Sequence, residues 1–131
     1  MKFTAEICQV CNQNQVPWTI ENLASSLIWQ TPEFKALGGT KVLLHACCYG
    51  SLYKKPTVFL TCGCDLSQLG CECPGEPKHP KHPYLTGKVW CPTSKRMMFR
   101  TKLEQVYSAR LCETYAKCCR VLWSQAPQAG T

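Results

Sequence analysis

The chain has 131 residues, of which 45% are hydrophobic and 18% are charged, a composition typical of one folded domain and not of a disordered tail. No apolar run reaches the roughly 18 to 20 residues of a membrane span, so we expect no membrane partner. The start of the chain carries Lys2 and Glu6 and no apolar signal region. We therefore expect an intracellular protein, cytoplasmic or nuclear and not secreted. The sequence contains no Gly-rich phosphate loop, no Gly-x-Ser-x-Gly elbow and no His-Glu-x-x-His helix.

Hydrophobic periodicity predicts three helices and three strands in the first half of the chain. In chain order these are a helix at 4–14, a strand at 16–20, helices at 23–30 and 32–37, and strands at 41–47 and 57–61. This alternation of helices and strands predicts an α/β fold with a small sheet of about three strands and flanking helices.

The second half of the chain has a different character. Residues 62–95 are rich in Pro, Cys and His without a sustained period, which predicts one long irregular loop. A closing helix is expected at 102–123, where Thr101 and Glu104 form a Thr-x-x-Glu capping box. We expect a single domain at 1–124 with this loop inside it, and a frayed tail at 125–131.

The twelve cysteines amount to about 9% of the chain, near the level of a disulfide scaffold. Without a secretory signal we expect reduced thiols, which then serve as core residues, as metal ligands or as both. Zinc takes four sulfur or imidazole donors in a tetrahedron, and closely spaced pairs supply two corners each. Two ligand sets fit, with buried thiols and surface histidines as the alternative. The sets are Cys47, Cys73, His79 and His82, or Cys62, Cys64, Cys71 and Cys73.

Positive charge is concentrated in the second half of the chain. The formal net charge is +7, and residues 78–120 hold ten Lys or Arg against two Glu. Such a segment suits a polyanion, with DNA as the candidate partner, and the alternative is a solvated surface. The candidate contacts to nucleic acid are Lys54, Lys55, Lys95, Arg96 and Arg100.

An acidic residue comes directly after the predicted strand at 16–20. Glu21 and Asn22 then occupy the position where open α/β sheets place their sites, and the alternative is an ordinary helix start capped by Asn22. The basic pair Lys54-Lys55 lies in the turn before the strand at 57–61. If the strands are neighbours, it would face phosphate or a base edge near the same end of the sheet, and the alternative is a solvated turn.

These motifs, in this order, resemble the second half of the cytosine-5 DNA methyltransferase catalytic domain. In that family a Glu-Asn pair follows a buried strand and its Glu holds and protonates the cytosine, so the matching residues are Glu21 and Asn22. A Gln-x-Arg-x-Arg strand supports the base there. Its counterparts here are Tyr53, Lys55 and Thr57. Lys55 would therefore back the cytosine, although a point charge does not replace a planar bidentate Arg.

The chain is more closely similar to methyltransferase-like proteins of algae, dinoflagellates, phages and mobile elements, over about residues 5–116. The positions that match their pattern are Trp18, Ile20, Glu21, Asn22, Ser26, Trp29, Cys47, Tyr49, Gly50, Lys54, Lys55, Thr57, Cys73, His79, His82, Tyr107, Leu111 and Cys112. Leu23 replaces a Pro of the pattern. The resemblance favours the zinc set that contains Cys47 and both loop histidines.

The resemblance implies an incomplete Rossmann-like methyltransferase half, whose S-adenosylmethionine strand and Pro-Cys nucleophile lie upstream. We therefore expect no turnover by this chain alone, cofactor binding only when an upstream half is supplied, and a missing N-terminal half or a second copy as partner. The strand ending at Ile20 should lie beside the strand at 42–47, with Glu21 and Lys55 facing one cleft. The alternative function is a zinc-dependent nucleic-acid-binding module or a small interaction domain.

Overall fold

The computed structural model describes residues 2–78, 81–83, 86–100 and 107–125, with side chains up to residue 122. Its helices are α1 (Lys2–Gln13), α2 (Pro32–Lys35) and α3 (Ala109–Gln125). Its strands are β1 (Trp18–Leu23), β2 (Thr40–His45), β3 (Pro56–Cys62), β4 (Lys88–Cys91) and β5 (Arg96–Phe99). Short 3-10 turns lie at Leu27–Gln30, Ala46–Tyr49 and Ser67–Leu69. The expected α/β class is confirmed at this coarse level.

The main sheet has three strands in the order β1-β3-β2, and both neighbours pair antiparallel with β3. The expectation that the strand ending at Ile20 lies beside the strand at 42–47 is wrong, because β3 separates the two. The sequence of β3 explains its central place, since Val58-Phe59-Leu60 is apolar on both faces and a strand with both faces covered reads as a continuous apolar run. All three of these residues are buried.

Two cores lie on opposite faces of this sheet. Val58 and Leu60 pack with Trp18 and with residues of α1, α2 and the turn at Leu27–Gln30. Phe59 packs on the other face with Leu44, with the turn at Ser67–Leu69 and with α3. Side chains alternate between the faces of a strand, so the residues of β1 that face α3 are Thr19 and Glu21, opposite Thr61 and Phe59 in the register.

Strand β1 is longer at its C-terminal end than the periodicity predicts. Glu21 and Asn22 pair with Phe59 and Val58 and lie inside the strand, not past its end. The reason is that β3 starts at Pro56 and offers backbone partners as far as Leu23. The expected helix at 23–30 is correspondingly reduced to one 3-10 turn, Leu27–Gln30, which is capped by the Ser26 side chain.

The segment at 62–95 is not one irregular loop. It contains the 3-10 turn at Ser67–Leu69 and the strand β4, which pairs with β5 in an antiparallel hairpin. The closing helix is also shorter than expected, because Tyr107 and Ser108 are not helical and α3 starts at Ala109. The expected capping box at Thr101 and Glu104 lies outside the described residues, as does most of the expected tail at 125–131. No helix in the described ranges is long and apolar enough to cross a membrane.

Candidate functional site

Three candidate metal ligands that are distant in sequence meet at one end of β2. The ligand atoms of Cys47, Cys73 and His82 all lie within 4.8 Å of one another, and the three residues are half-buried. The Cys73 Sγ is 3.4 Å from the His82 Nε2. Two donors at zinc bond lengths on a tetrahedral ion are separated by roughly 3.5 Å. The group could therefore hold a metal ion, and its soft sulfur and imidazole donors suit zinc.

Backbone and side-chain hydrogen bonds from β2 hold the segment that carries Cys71 and Cys73 in place. The Cys73 backbone N–H donates to His45 Nδ1 at 2.7 Å, and the His45 backbone N–H donates to the Cys71 carbonyl at 2.8 Å. Leu44 forms an isolated parallel bridge with Cys71. His45 is buried and its desolvation lowers its pKa, so the neutral ring is the acceptor that positions Cys73.

Cys47 is presented by a tight turn at the end of β2. The 3-10 turn Ala46–Tyr49 ends at Gly50, whose φ of 97° is the left-handed conformation that glycine adopts without strain. The buried Tyr49 hydroxyl donates to the Leu69 carbonyl at 2.7 Å and anchors the turn on the core. The short turn explains why Cys47 lies beyond the strand and not on it.

The tautomer of His82 follows from its partners. Its Nδ1 lies 2.8 Å from the Leu52 carbonyl, which can only accept, so Nδ1 carries the proton and Nε2 faces the Cys73 sulfur. A metal-bound histidine commonly makes this arrangement, in which the distal N–H is held by a carbonyl. The hydrogen bond between the pair lowers the pKa of Cys73 and raises the pKa of His82.

Two further thiols adjoin the group. Cys48 makes side-chain hydrogen bonds with Cys71 and Cys47, and its burial is the main reason that its pKa is raised to about 12. Burial also raises the pKa of Cys47. Because its own pKa is lowered, Cys73 loses its proton more readily than Cys47 or Cys48.

The structure brings together three residues of the first predicted zinc set, and His79 lies outside the described residues. It does not assemble the alternative set, because within the part of the chain that the structure describes no three of those four cysteines approach within 4.8 Å. Cys64 is instead buried in the core beneath α3, near Cys118 and Cys119. Cys62 packs at the edge of the opposite core.

A second feature is a cavity of about 340 Å³ between the sheet and the start of α3, and its lining includes Ala46, the neighbour of Cys47 in the chain. Its lining includes Glu21, Lys55, Thr57 and Tyr107. The Tyr107 hydroxyl donates to the Glu21 carboxylate, and this hydrogen bond is the main cause that raises the pKa of Tyr107 to about 12. Glu21 and Lys55 thus face one cleft, as the sequence predicts.

Asn22 does not join this cavity. Alternation along β1 points it to the opposite face, and its Oδ1 accepts a hydrogen bond from the next backbone N–H in the chain at 2.8 Å.

The cations predicted to bind nucleic acid lie in two places. Lys55 and the exposed Lys54 lie in the turn before β3. The other three lie on the hairpin of β4 and β5, where Lys95 and Arg96 are exposed and Arg100 donates to the Tyr53 hydroxyl at 3.3 Å.

Sequence reasoning missed His45 as the residue that positions Cys73. The available signal was a histidine at the end of an apolar strand, two residues before a candidate ligand. It also did not assign a role to Tyr107, because the partner of this residue lies 86 positions away in sequence. No protein-family model, curated protein or solved structure matches the chain.

Proposed function

We propose that this chain is a zinc-stabilised module that binds nucleic acid in a reducing, intracellular compartment. The observation that carries the proposal is the meeting of Cys47, Cys73 and His82, which come from three segments of the chain. When bound, zinc would act as a structural cross-link between these segments. The twelve cysteines are free thiols, as a reducing compartment requires.

The nucleic-acid part of the proposal is supported by charge and by its position. The turn that carries Leu52, whose carbonyl holds His82, continues into Lys54 and Lys55. The same turn contacts the basic hairpin through Arg100 and Tyr53. Zinc at the cluster would therefore fix a surface on which separate groups of cations are held side by side, and phosphate contacts supply most of the affinity for nucleic acid.

The test is elemental analysis of protein purified under reducing conditions. We expect about one zinc per chain. The Cys73→Ser variant should lose the zinc, whereas Cys112→Ser, which removes an exposed thiol on α3, should keep it. Zinc-free parent protein that is folded, or equal zinc contents in the two variants, would remove the metal part of the proposal.

A second candidate function rests on the cavity. We propose that Glu21 and Lys55 descend from the base-binding site of a cytosine-5 methyltransferase-like protein, supported by their lining one cavity with Tyr107. In this proposal a Rossmann-like sheet is completed only by an upstream half, which would also supply S-adenosylmethionine binding and the nucleophile. Glu21 would accept from the cytosine edge and Lys55 would lie behind the base.

This candidate is tested with the chain alone. Deoxycytidine should shift backbone NMR signals around Glu21 and Lys55 more strongly than thymidine does, and Glu21→Gln should abolish the difference. Calorimetry should detect no S-adenosylmethionine binding. Equal responses to the two nucleosides would refute the base-binding assignment, and tight binding of the cofactor would refute the need for a second half.

A further inference from the structure

One face of the hairpin of β4 and β5 exposes large apolar side chains. The register pairs Lys88 with Phe99 and Trp90 with Met97, and cross-strand partners share a face. On this face, hereafter the hairpin platform, 59% of Trp90, 57% of Phe99 and 55% of Met97 are exposed. Apolar residues that are exposed singly are normal on a protein surface, whereas an exposed cluster of them is typical of an interaction site.

The platform is the outer face of a hairpin whose other face is already covered. The opposite face of the hairpin carries Val89 and Met98, which are half-buried, and Cys91, which is 8% exposed. The hairpin therefore already uses its inward face for packing. Trp90 and Phe99 are diagonal neighbours on the outer face, and such neighbours are roughly 7–8 Å apart.

The charge around the platform indicates which partner fits. Residues 86–100 contain four Lys or Arg and no Asp or Glu. The Lys88 Nζ lies 4.8 Å from the centre of the Phe99 ring. Lys95 is exposed at the turn of the hairpin, whereas Arg96 pairs with Cys91 and lies on the opposite face. Aromatic rings that lie among cations match the two chemistries of a single-stranded nucleic acid, which has base faces for stacking and phosphates for ion pairing.

We propose that the hairpin platform binds single-stranded nucleic acid, with successive bases stacked on Trp90 and Phe99 and phosphates held by Lys88 on the same face and by Lys95 at the turn. This proposal deepens the nucleic-acid part of the proposed function and rests on it. Duplex DNA does not fit the same surface, because its base faces are covered by neighbouring base pairs. An uncharged protein partner would leave Lys88 and Lys95 without counter-charge.

The experiment is fluorescence anisotropy with a labelled 12-residue oligothymidine, run beside a duplex of the same length and at several salt concentrations. We expect the single strand to bind more tightly than the duplex. Trp90→Ala should weaken single-strand binding about tenfold, and Trp90→Phe should restore most of it, because stacking needs only a ring. The control is Phe3→Ala, which removes an aromatic side chain that is 72% exposed on α1 and should leave binding unchanged.

A pair of charge variants gives an independent readout. Lys88→Gln combined with Lys95→Gln should reduce the slope of log affinity against log salt by about 2, one for each lost phosphate contact. Circular dichroism confirms that each variant is folded, and the exposed positions make this outcome expected.

The outcomes separate the two proposals. Single-strand binding that survives Trp90→Ala and Phe99→Ala unchanged, or a preference for the duplex, overturns the platform and leaves the proposed nucleic-acid binding standing. Absence of binding to every oligonucleotide overturns both. Sedimentation that shows a dimer lost in Trp90→Ala, or equal affinity for vesicles of phosphatidylserine, assigns the platform to another partner and overturns the proposal.

Discussion

Removal of the metal should destabilise the protein by an amount that the loop geometry predicts. An ion at the cluster closes two loops, one of about 27 residues between Cys47 and Cys73 and one of about 10 residues between Cys73 and His82. Treated as cross-links of the unfolded chain, these loops correspond to about 3.5 and 2.7 kcal/mol. The two values are upper limits and do not add fully, because an unfolded chain retains residual structure and its cysteines and histidines still bind some of the metal.

We take the value of the shorter loop as the minimum expected effect. Chelation of the zinc-loaded protein should lower the free energy of unfolding by about 2.7 kcal/mol, which corresponds to a fall in Tm of roughly 10 °C for a chain of this size. The assay is thermal unfolding followed by circular dichroism, with and without chelator, under reducing conditions. Cys112→Ser should lose stability on chelation as the parent does, whereas Cys73→Ser should not respond.

The reasoning is refuted if the parent unfolds at the same temperature with and without chelator while its zinc is verifiably gone. It is equally refuted if Cys73→Ser retains the full response. A loss much larger than about 6 kcal/mol would show that the metal stabilises more than these two loops.

Three further predictions follow from burial and electrostatics. The Leu66→Ala variant removes a side chain that is 1% exposed, and it should lower the free energy of unfolding in urea by about 2–5 kcal/mol. The control is Leu27→Ala, which removes a side chain that is 74% exposed and should lower it by less than about 0.5 kcal/mol. The pKa of Tyr107 is raised to about 12 in the folded protein. Its contribution to the free energy of unfolding is therefore complete below pH 10 and is lost as the pH rises through 12. The Tyr107→Phe variant should show a smaller decline in stability over that range. The pKa of Cys73 is lowered and the pKa of Cys48 is raised to about 12. In metal-free protein at pH 7, mass spectrometry should therefore find Cys73 alkylated before Cys48, and bound zinc should abolish that order.

Local sequence patterns predicted the elements that are long or continuously apolar. The central strand was predicted from Val58-Phe59-Leu60, and α1 from its helical spacing, because these signals lie within one element. Strands β4 and β5 were missed because each has only four residues, and a short run such as Lys88-Val89-Trp90-Cys91 has no period that stands out. The order of strands was also missed, since pairing joins residues that are about 40 positions apart.

The candidate site also has features that local spacing predicts and features that depend on contacts between distant residues. Spacing alone left two zinc sets open, because a Cys-x-Cys pair can point both sulfurs to one ion or to two different cores. The structure shows how Cys62 and Cys64 are separated: Cys62 ends β3 and packs on the α1 side, whereas Cys64 is buried below α3. Spacing alone does not choose the set that joins Cys73 to Cys47, which the resemblance favours, and the hydrogen bonds of the His45 residue that position Cys73 are not visible in any linear pattern.

The turn at residues 52–55 connects all the features discussed above. Its Leu52 carbonyl holds His82, its Tyr53 hydroxyl accepts from Arg100 of the hairpin, and its Lys55 lines the cavity with Glu21. Tyr53 itself is only 8% exposed, so the turn is anchored and not a free loop. A metal bound at the cluster as proposed would, by fixing His82, also fix the segment to which the hairpin and the cavity are attached. This shared anchor supports the proposal that the group of Cys47, Cys73 and His82 and the basic surface form one module.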